Sequence, residues 1–305
     1  MNTLSNTAEP RVESHILAAE VPAIEQLYWS VRRELWENRA IYLAPMAAAA
    51  VAVAGFTVGK AVHVAMWMQP GMGRPHESIE QPYMFASLLI MFSSILVALF
   101  YCLDAFQSER RDRSILFWKS LPVSDGTTAV AKFLVPVGIL QIVSFAVTVA
   151  AQWIMFLIHA ASVAAGGGTV TALWTGLSLP RMWAMLLFHL IALHGLWYAP
   201  FYGWLLMVSA WARRNAFLWA TLPPLGIALV EKIAFNTSHF AAMLGHRFWG
   251  SSPASTSAGA DYAMELLMPM SPIHFLTRPG LWIGLAVTAV FLVLAVRLRR
   301  HRGPA

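Results

Sequence analysis

The stretch YMFASLLIMFSSILVALFYCL, residues 83–103, decides the fold of this chain. It carries no charged residue. About 20 mostly apolar residues are enough for an α-helix to cross the roughly 30 Å of hydrocarbon in a bilayer. An uninterrupted apolar run of this length therefore predicts a membrane-spanning helix.

Five further runs on either side of this stretch have the same character. They lie at 41–59, 133–158, 183–210, 216–235 and 280–297. The run at 183–210, the fourth of the six along the chain, is longer than a bilayer requires, and Pro200 within it predicts a kink. Only 12% of the residues are charged, against about 25% in soluble domains. The sequence therefore predicts an all-α integral membrane protein with six transmembrane helices.

The basic residues indicate which way the spans face. Of the 21 Lys and Arg residues, 15 fall in segments on one side of the predicted spans and 6 on the other. The positive-inside rule places the richer side, which includes both termini, in the cytoplasm. The predicted organisation is a flexible cytoplasmic N-terminus (1–21), a helix at 22–39, a six-helix domain (40–298) with a coupling loop (104–132) and an external loop (236–279), and a cytoplasmic tail (299–305).

The segment 22–39 has the pattern of an amphipathic helix. Its apolar residues recur at i, i+3, i+4 and i+7, as on one helical face: Ile24, Leu27, Tyr28, Val31 and Leu35. The polar residues Glu25, Gln26, Arg32, Arg33 and Glu34 occupy much of the rest. One interpretation is an interfacial helix on the inner membrane surface, with Tyr28, Trp29, Arg32, Arg33 and Trp36 as contact residues. The other is a soluble helix packed on cytosolic protein.

The sequence contains no recognisable catalytic or metal-binding pattern. Gly55 to Lys60 reads GFTVGK, which is one residue short of a phosphate-binding loop and lacks the following Ser or Thr. The single cysteine, Cys102, excludes an intrachain disulfide. Polar residues inside the spans have two interpretations, hydrogen bonding between helices or a functional role; they are Gln141, Gln152, His159, His189, His194 and Glu231.

The loop after the second span is unusual for a simple connection. Residues 109–125 read ERRDRSILFWKSLPVSD. Asp112 can cap a short helix that Pro122 ends, and Ser124 with Asp125 can cap the next one. The aromatic pair Phe117 and Trp118 suits a groove on a partner protein, but it also suits the headgroup belt of a membrane.

This segment resembles the signature of ABC transporter permeases of the type-2 exporter class, from subfamilies that export drugs or peptides. The likeness covers Glu109 to Asp125 and the following Lys132, while beyond it only the architecture is similar. Arg113 stands where the family often has Gly. The resemblance implies a coupling helix that inserts into a separate ATP-binding subunit. The contact residues would be Asp112, Arg113, Ser114, Ile115, Leu116, Phe117, Trp118, Lys119 and Leu121.

The resemblance also implies a complete exporter in the bacterial inner membrane. Two permease chains, identical or different, would pair with two ATPase subunits that bind ATP and Mg²⁺, so this chain itself would be non-catalytic and bind no cofactor or nucleic acid. Glu109 and Asp112 would pair with basic residues of the ATPase or with Arg32, Arg33 or Arg39. The cargo would be amphiphilic: a peptide, an antibiotic or a lipid-like molecule.

Family analogy places the translocation path at the second and fifth spans, with Phe92, Leu96, Phe100, Phe217 and Leu218 as lining residues. Two other classes remain open. A secondary transporter usually shows repeat symmetry and helices broken at matched positions, and a membrane-embedded enzyme shows convergent titratable residues. The second of these classes also includes a membrane-embedded assembly factor that has no ATPase partner of its own.

Overall fold

A computed structural model describes residues 22–67, 79–111, 124–249 and 275–301. Within these ranges the regular elements are all helical. They are α1 (Ala23–Glu37), α2 (Ala40–Trp67), α3 (Gln81–Asp104), α4 (Gln107–Arg111), α5 (Asp125–Leu134), π1 (Val135–Ile139), α6 (Leu140–Ala165), α7 (Val170–Gly176), α8 (Leu179–His189), π2 (Leu190–Trp197), α9 (Ala199–Trp211), α10 (Ala216–Phe235), α11 (His239–Trp249) and α12 (Pro279–His301).

Six helical stretches of the described chain are long and apolar enough to cross a membrane. They are Ala40–Lys60, Gln81–Arg111, Asp125–Ala165, Leu179–Trp197, Ala216–Phe235 and Pro279–His301. The prediction of an all-α membrane protein with six such helices is confirmed at this level. The predicted fourth span, 183–210, covers most of α8, all of π2 and most of α9, and the helical path is interrupted at Tyr198. Pro200 lies in the first turn of α9, where its missing N–H costs no hydrogen bond.

Two π-helical segments interrupt the third and fourth spans. A proline inside a helix cannot donate its hydrogen bond and crowds the preceding turn, and π1 contains Pro136. The Gln141 side chain donates to the Pro136 carbonyl at 2.8 Å. π1 packs against π2, where Gly195 lies so close to the Val137 carbonyl that a β-carbon would approach its oxygen to 2.8 Å. Gly195 therefore permits the close contact between the two spans.

The bundle is packed through small residues as well as large ones. α9 lies along α12, and α2 lies against α3 and α6. Gly203 of α9 packs against Thr288 and Phe291 of α12, a small-residue contact typical of membrane helices. Cys102 is completely buried between the spans.

The first helix is part of the folded unit. α1 packs against α5, the first helix of the third span. Its last residue, Glu37, is separated from α2 only by Asn38 and Arg39. The amphipathic segment is therefore held at the end of the bundle where the first span begins.

Candidate functional site

The predicted coupling helix itself lies outside the described residues. Asp112, Arg113, Ser114, Ile115, Leu116, Phe117, Trp118, Lys119 and Leu121 all belong to this undescribed stretch. The structure does describe both of its ends, α4 before it and α5 after it. The Ser124 side chain accepts a hydrogen bond from the Thr127 amide at 2.9 Å, which confirms Ser124 as the predicted cap.

Six ionisable side chains from four helices meet at this end of the bundle. We call them the ion cluster: Arg33 and Glu34 of α1, Glu109 of α4, Asp125 and Lys132 of α5, and Arg299 of α12. Three are carboxylates and three are cations, so their formal charges cancel. Glu34, Glu109, Lys132 and Arg299 are all at least 94% buried. Buried charges are tolerated only when they are paired and hydrogen-bonded in this way.

Glu34 ties the amphipathic helix to two spans. Its Oε1 lies 2.9 Å from Lys132 Nζ and 2.8 Å from Arg33 Nη2. Its Oε2 accepts a hydrogen bond from the Tyr101 hydroxyl of α3 at 2.8 Å. All of these are charge-assisted bonds, which are stronger than bonds between neutral groups. α1 is consequently fixed in its rotation about its own axis.

Glu109 and Asp125 stand on either side of the predicted coupling helix, and both contact Arg299. Glu109 Oε2 lies 3.2 Å from Arg299 Nη2, and Asp125 Oδ1 lies 3.5 Å from Arg299 Nε. Glu109 Oε1 also lies 3.2 Å from Arg33 Nη2 and from Lys132 Nζ. The pairing of Glu109 with Arg33 is one of those expected from the sequence. The two ends of the segment are thus attached to the same residue of the last span.

Phe106 contacts two cations of the ion cluster, and Arg110 bonds to the end of α9. The Phe106 ring lies 5.5 Å from Lys132 Nζ and 5.8 Å from Arg299 Cζ, distances at which a ring face attracts a cation. Arg110 donates to the carbonyls of Ser209 and Ala212, the latter at 2.8 Å. These carbonyls are at the end of α9, where the helix dipole is negative. Arg110 therefore caps the C-terminal end of α9.

The ionisation of Glu34 makes the stability of the chain depend on pH. Burial alone would raise the pKa of Glu34, but the charges and hydrogen bonds of Lys132 and Arg33 outweigh burial and hold this pKa below 4.5. A carboxyl with a depressed folded-state pKa stabilises the fold above its unfolded-state pKa, and this contribution is lost as the pH falls through the folded-state value.

We therefore expect the thermal unfolding temperature of the purified chain to fall below about pH 4.5. Glu34→Gln should show a smaller fall over the same pH range, because it carries no titrating group at that position. Glu25→Gln, an exposed position on the same helix, should behave like the wild type. Identical pH profiles for Glu34→Gln and wild type would show that the ion cluster is not the source of the effect.

The five contact residues predicted on α1 divide into two groups. Arg33 belongs to the ion cluster, whereas Tyr28, Trp29 and Trp36 are exposed. Arg32 lies between Trp29 and Trp36, with its Cζ 5.1 Å and 4.8 Å from the two ring centroids. α1 thus has a charged face towards the bundle and an aromatic face away from it.

The residues predicted to line a translocation path are all on the outside of the single chain. Phe92, Leu96, Phe100, Phe217 and Leu218 are between 40% and 62% exposed. The two helices that carry them, α3 and α10, contact each other. α10 is the least enclosed of the six spans, with 11% of its apolar window buried. In one copy of the chain each of these side chains is therefore open to lipid or to another protein.

The polar residues inside the spans mainly bond neighbouring helices. Gln152 donates to the Tyr83 carbonyl at 3.1 Å and accepts from Trp183 Nε1 at 2.7 Å, joining three spans. His159 Nε2 lies 2.9 Å from Lys60 Nζ. Glu231 accepts hydrogen bonds from the amides of His239 and Phe240, at 2.7 Å and 2.8 Å, and so caps α11. His194 is buried against Tyr198, with ring centroids 5.7 Å apart, and His189 lies beside Phe188.

The ion cluster was not predicted as a unit from the sequence. Glu34 was assigned to the polar face of α1, and Arg299 entered only the count of basic residues. The bonds that join its helices connect residues up to 190 positions apart, so no local pattern identifies them. The one available signal was the occurrence of acidic residues, Glu109 and Asp125, at both ends of an aromatic loop.

The ion cluster links four helices of the described chain through buried ion pairs. Within the described residues, no group of three or more His, Cys, Asp or Glu side chains is placed to hold a metal ion. Comparison with protein-family models, curated proteins and solved structures gives no match to this chain.

Proposed function

We propose that this chain is the transmembrane permease subunit of an ATP-driven exporter of the type-2 ABC class. ATP hydrolysis by a separate subunit would drive the efflux of an amphiphilic peptide, antibiotic or lipid-like molecule. One observation carries the proposal: both ends of the coupling segment are held in a single buried ion cluster that also includes α1 and α12.

The ion cluster provides a physical route from that segment to the spans. A displacement of α4 or α5 must either carry α1 and α12 along or separate buried charges. Removing the partner of a buried charge costs about 3–5 kcal/mol. Since the concerted movement avoids this cost, a pull on residues 112–123 is transmitted to several helices together. A loop that served only as a connection would not need such an attachment.

The proposed exporter also implies a membrane orientation, a second permease copy and a path for the cargo. The ion cluster and both termini lie on the cytoplasmic side, where the partner subunit binds ATP and Mg²⁺. The outer surface formed by α3 and α10 contacts a second permease copy, and the cargo passes along Phe92, Leu96, Phe100, Phe217 and Leu218. The exposure of these five side chains supports this arrangement, as lipid or a second copy must cover them.

The direct test is reconstitution with the ATP-binding subunit encoded by a neighbouring gene. We expect the two proteins to co-purify and the ATPase rate in liposomes to rise several-fold over that of the isolated ATP-binding subunit. An ATP-binding subunit from an unrelated transporter is the matched control. If the chain purifies alone and transport follows an ion gradient without ATP, it is a secondary transporter and the proposal is wrong.

A further inference from the structure

We propose that the outward face of α1 binds the phosphate of an anionic phospholipid, with Arg32 as the ligand. This inference goes beyond the exporter function and does not depend on it. It rests on a side-chain arrangement that the ion cluster neither contains nor requires: the guanidinium of Arg32 held between two exposed tryptophan rings.

The three residues share one helical face. Trp29, Arg32 and Trp36 are spaced by three and four positions, which places their side chains one above the other. The rings are 52% and 69% exposed. Arg32 Cζ lies within 5.1 Å of both ring centroids. Stacking on both sides leaves the edge of the planar guanidinium, with its N–H donors, as the part available to a ligand.

Arg32 also lacks the partners that its neighbour has. Arg33 lies 2.8 Å from Glu34 and 3.2 Å from Glu109. Among the residues that the structure describes, no carboxylate lies within ion-pair distance of Arg32. A guanidinium matches phosphate oxygens through two parallel hydrogen bonds. The ordered and unpaired cation therefore complements an anion, and phosphate suits its geometry.

The position of α1 identifies the source of that phosphate. α1 ends at Glu37, and the first span begins at Ala40. Glu34, opposite Arg32 on the helix, is 1% exposed and bonded to α3 and α5. The aromatic face is therefore fixed at the level where the first span leaves the hydrocarbon. Trp and Tyr favour this headgroup region, and a lipid phosphate is found there.

Lipid retention by the full chain tests the proposal. Native mass spectrometry would compare phosphatidylglycerol with phosphatidylcholine of identical acyl chains on the detergent-purified protein. We expect about fivefold preferential retention of phosphatidylglycerol, the preference that one basic residue near an anionic surface provides. Arg32→Gln should abolish the preference, and Arg32→Lys should retain part of it, because an ammonium cannot form the bidentate contact.

Two controls separate this site from general effects. Arg213→Gln removes an exposed cation at the same end of the bundle and should leave the preference unchanged. The unfolding temperature of Arg32→Gln in phosphatidylcholine should match that of the wild type, since Arg32 lies outside the ion cluster. Excess inorganic phosphate should not displace the lipid, as the exposed rings also contribute apolar contact.

Three results would overturn the inference. The wild type could retain both lipids equally, or Arg213→Gln could lose as much preference as Arg32→Gln. The third result would come from hydrogen exchange of α1 in the presence of the ATP-binding subunit. That subunit would protect α1 in vesicles of phosphatidylcholine, and adding phosphatidylglycerol would give no further protection. That last outcome would assign the aromatic face to a protein contact.

Discussion

Lys132→Met is expected to destabilise the chain by about 3–5 kcal/mol, the cost of removing one partner of a buried ion pair. Lys132 Nζ lies 2.9 Å from Glu34 Oε1 and 3.2 Å from Glu109 Oε1. Methionine keeps most of the length and the apolar stem of the side chain but removes the charge. Two buried carboxylates would then face each other across the vacated position. Denaturation of the purified protein with increasing SDS, monitored by tryptophan fluorescence, measures the change.

Arg300→Met is the matched control for this substitution. Arg300 also pairs with a carboxylate of the same region, Asp125, at 3.8 Å, but its side chain is 63% exposed. An exposed ion pair contributes about 0–1 kcal/mol. If Lys132→Met and Arg300→Met lower the free energy of unfolding equally, the burial of the ion cluster does not govern the stability of the chain.

A second substitution can restore part of the stability that Lys132→Met removes. Glu34→Gln in the Lys132→Met background removes one of the two opposed charges, so the double variant should be more stable than Lys132→Met alone. Residues of one charge network commonly couple by about 0.5–3 kcal/mol, which is roughly a twofold to 160-fold change in the folding equilibrium. Additive losses would instead show that Lys132 and Glu34 act independently.

Replacing Phe117 and Trp118 together with alanine should uncouple the proposed exporter. If these rings insert into a cleft of the ATP-binding subunit, each acts as a binding hot spot worth about 2 kcal/mol or more. Losing even one such contact weakens the complex about thirtyfold. The expected result is dissociation of the two subunits on purification and an ATPase rate equal to that of the ATP-binding subunit alone.

Trp282→Ala provides the control for the loss of an aromatic side chain. Trp282 is 60% exposed and lies at the first turns of α12, the end of the bundle opposite Arg299. Its replacement should leave binding and stimulated ATP hydrolysis intact. A complex that survives the Phe117 and Trp118 changes with full stimulated turnover would exclude the coupling role of the segment.

The spans were predictable from the sequence because their signal is local. An apolar run such as 83–103 must be covered by lipid or by other helices wherever it lies in the fold, so its length alone indicates a spanning helix. The cap at Ser124 was predictable for the same reason, since its partner is the Thr127 amide. The π-helical segments were not, because the close approach of Gly195 to Val137 depends on how two spans pack.

The candidate site was predictable only in part. The pairing of Glu109 with Arg33 was among the contacts expected from the family resemblance, whereas Asp125 was expected only as a helix cap. The burial of Glu34 was not, because hydrophobic periodicity assigns a glutamate on an amphipathic helix to water. Only the folded bundle brings Lys132 and Tyr101 close enough to compensate the buried charge. Glu231 is a similar case, since it caps α11 by accepting hydrogen bonds from the amides of His239 and Phe240.

The contact of Arg299 with both Glu109 and Asp125 has a consequence for biogenesis. Arg299 is the last member of the ion cluster to leave the ribosome, so the cluster is incomplete until the sixth span has been inserted. Before that moment the two ends of the loop lack their common cation, and the contact of Glu109 with Lys132 joins them without it. In the proposed exporter, the docking segment would reach its final form only after the sixth span has been made. The order of the spans would thereby disfavour earlier assembly with the ATP-binding subunit.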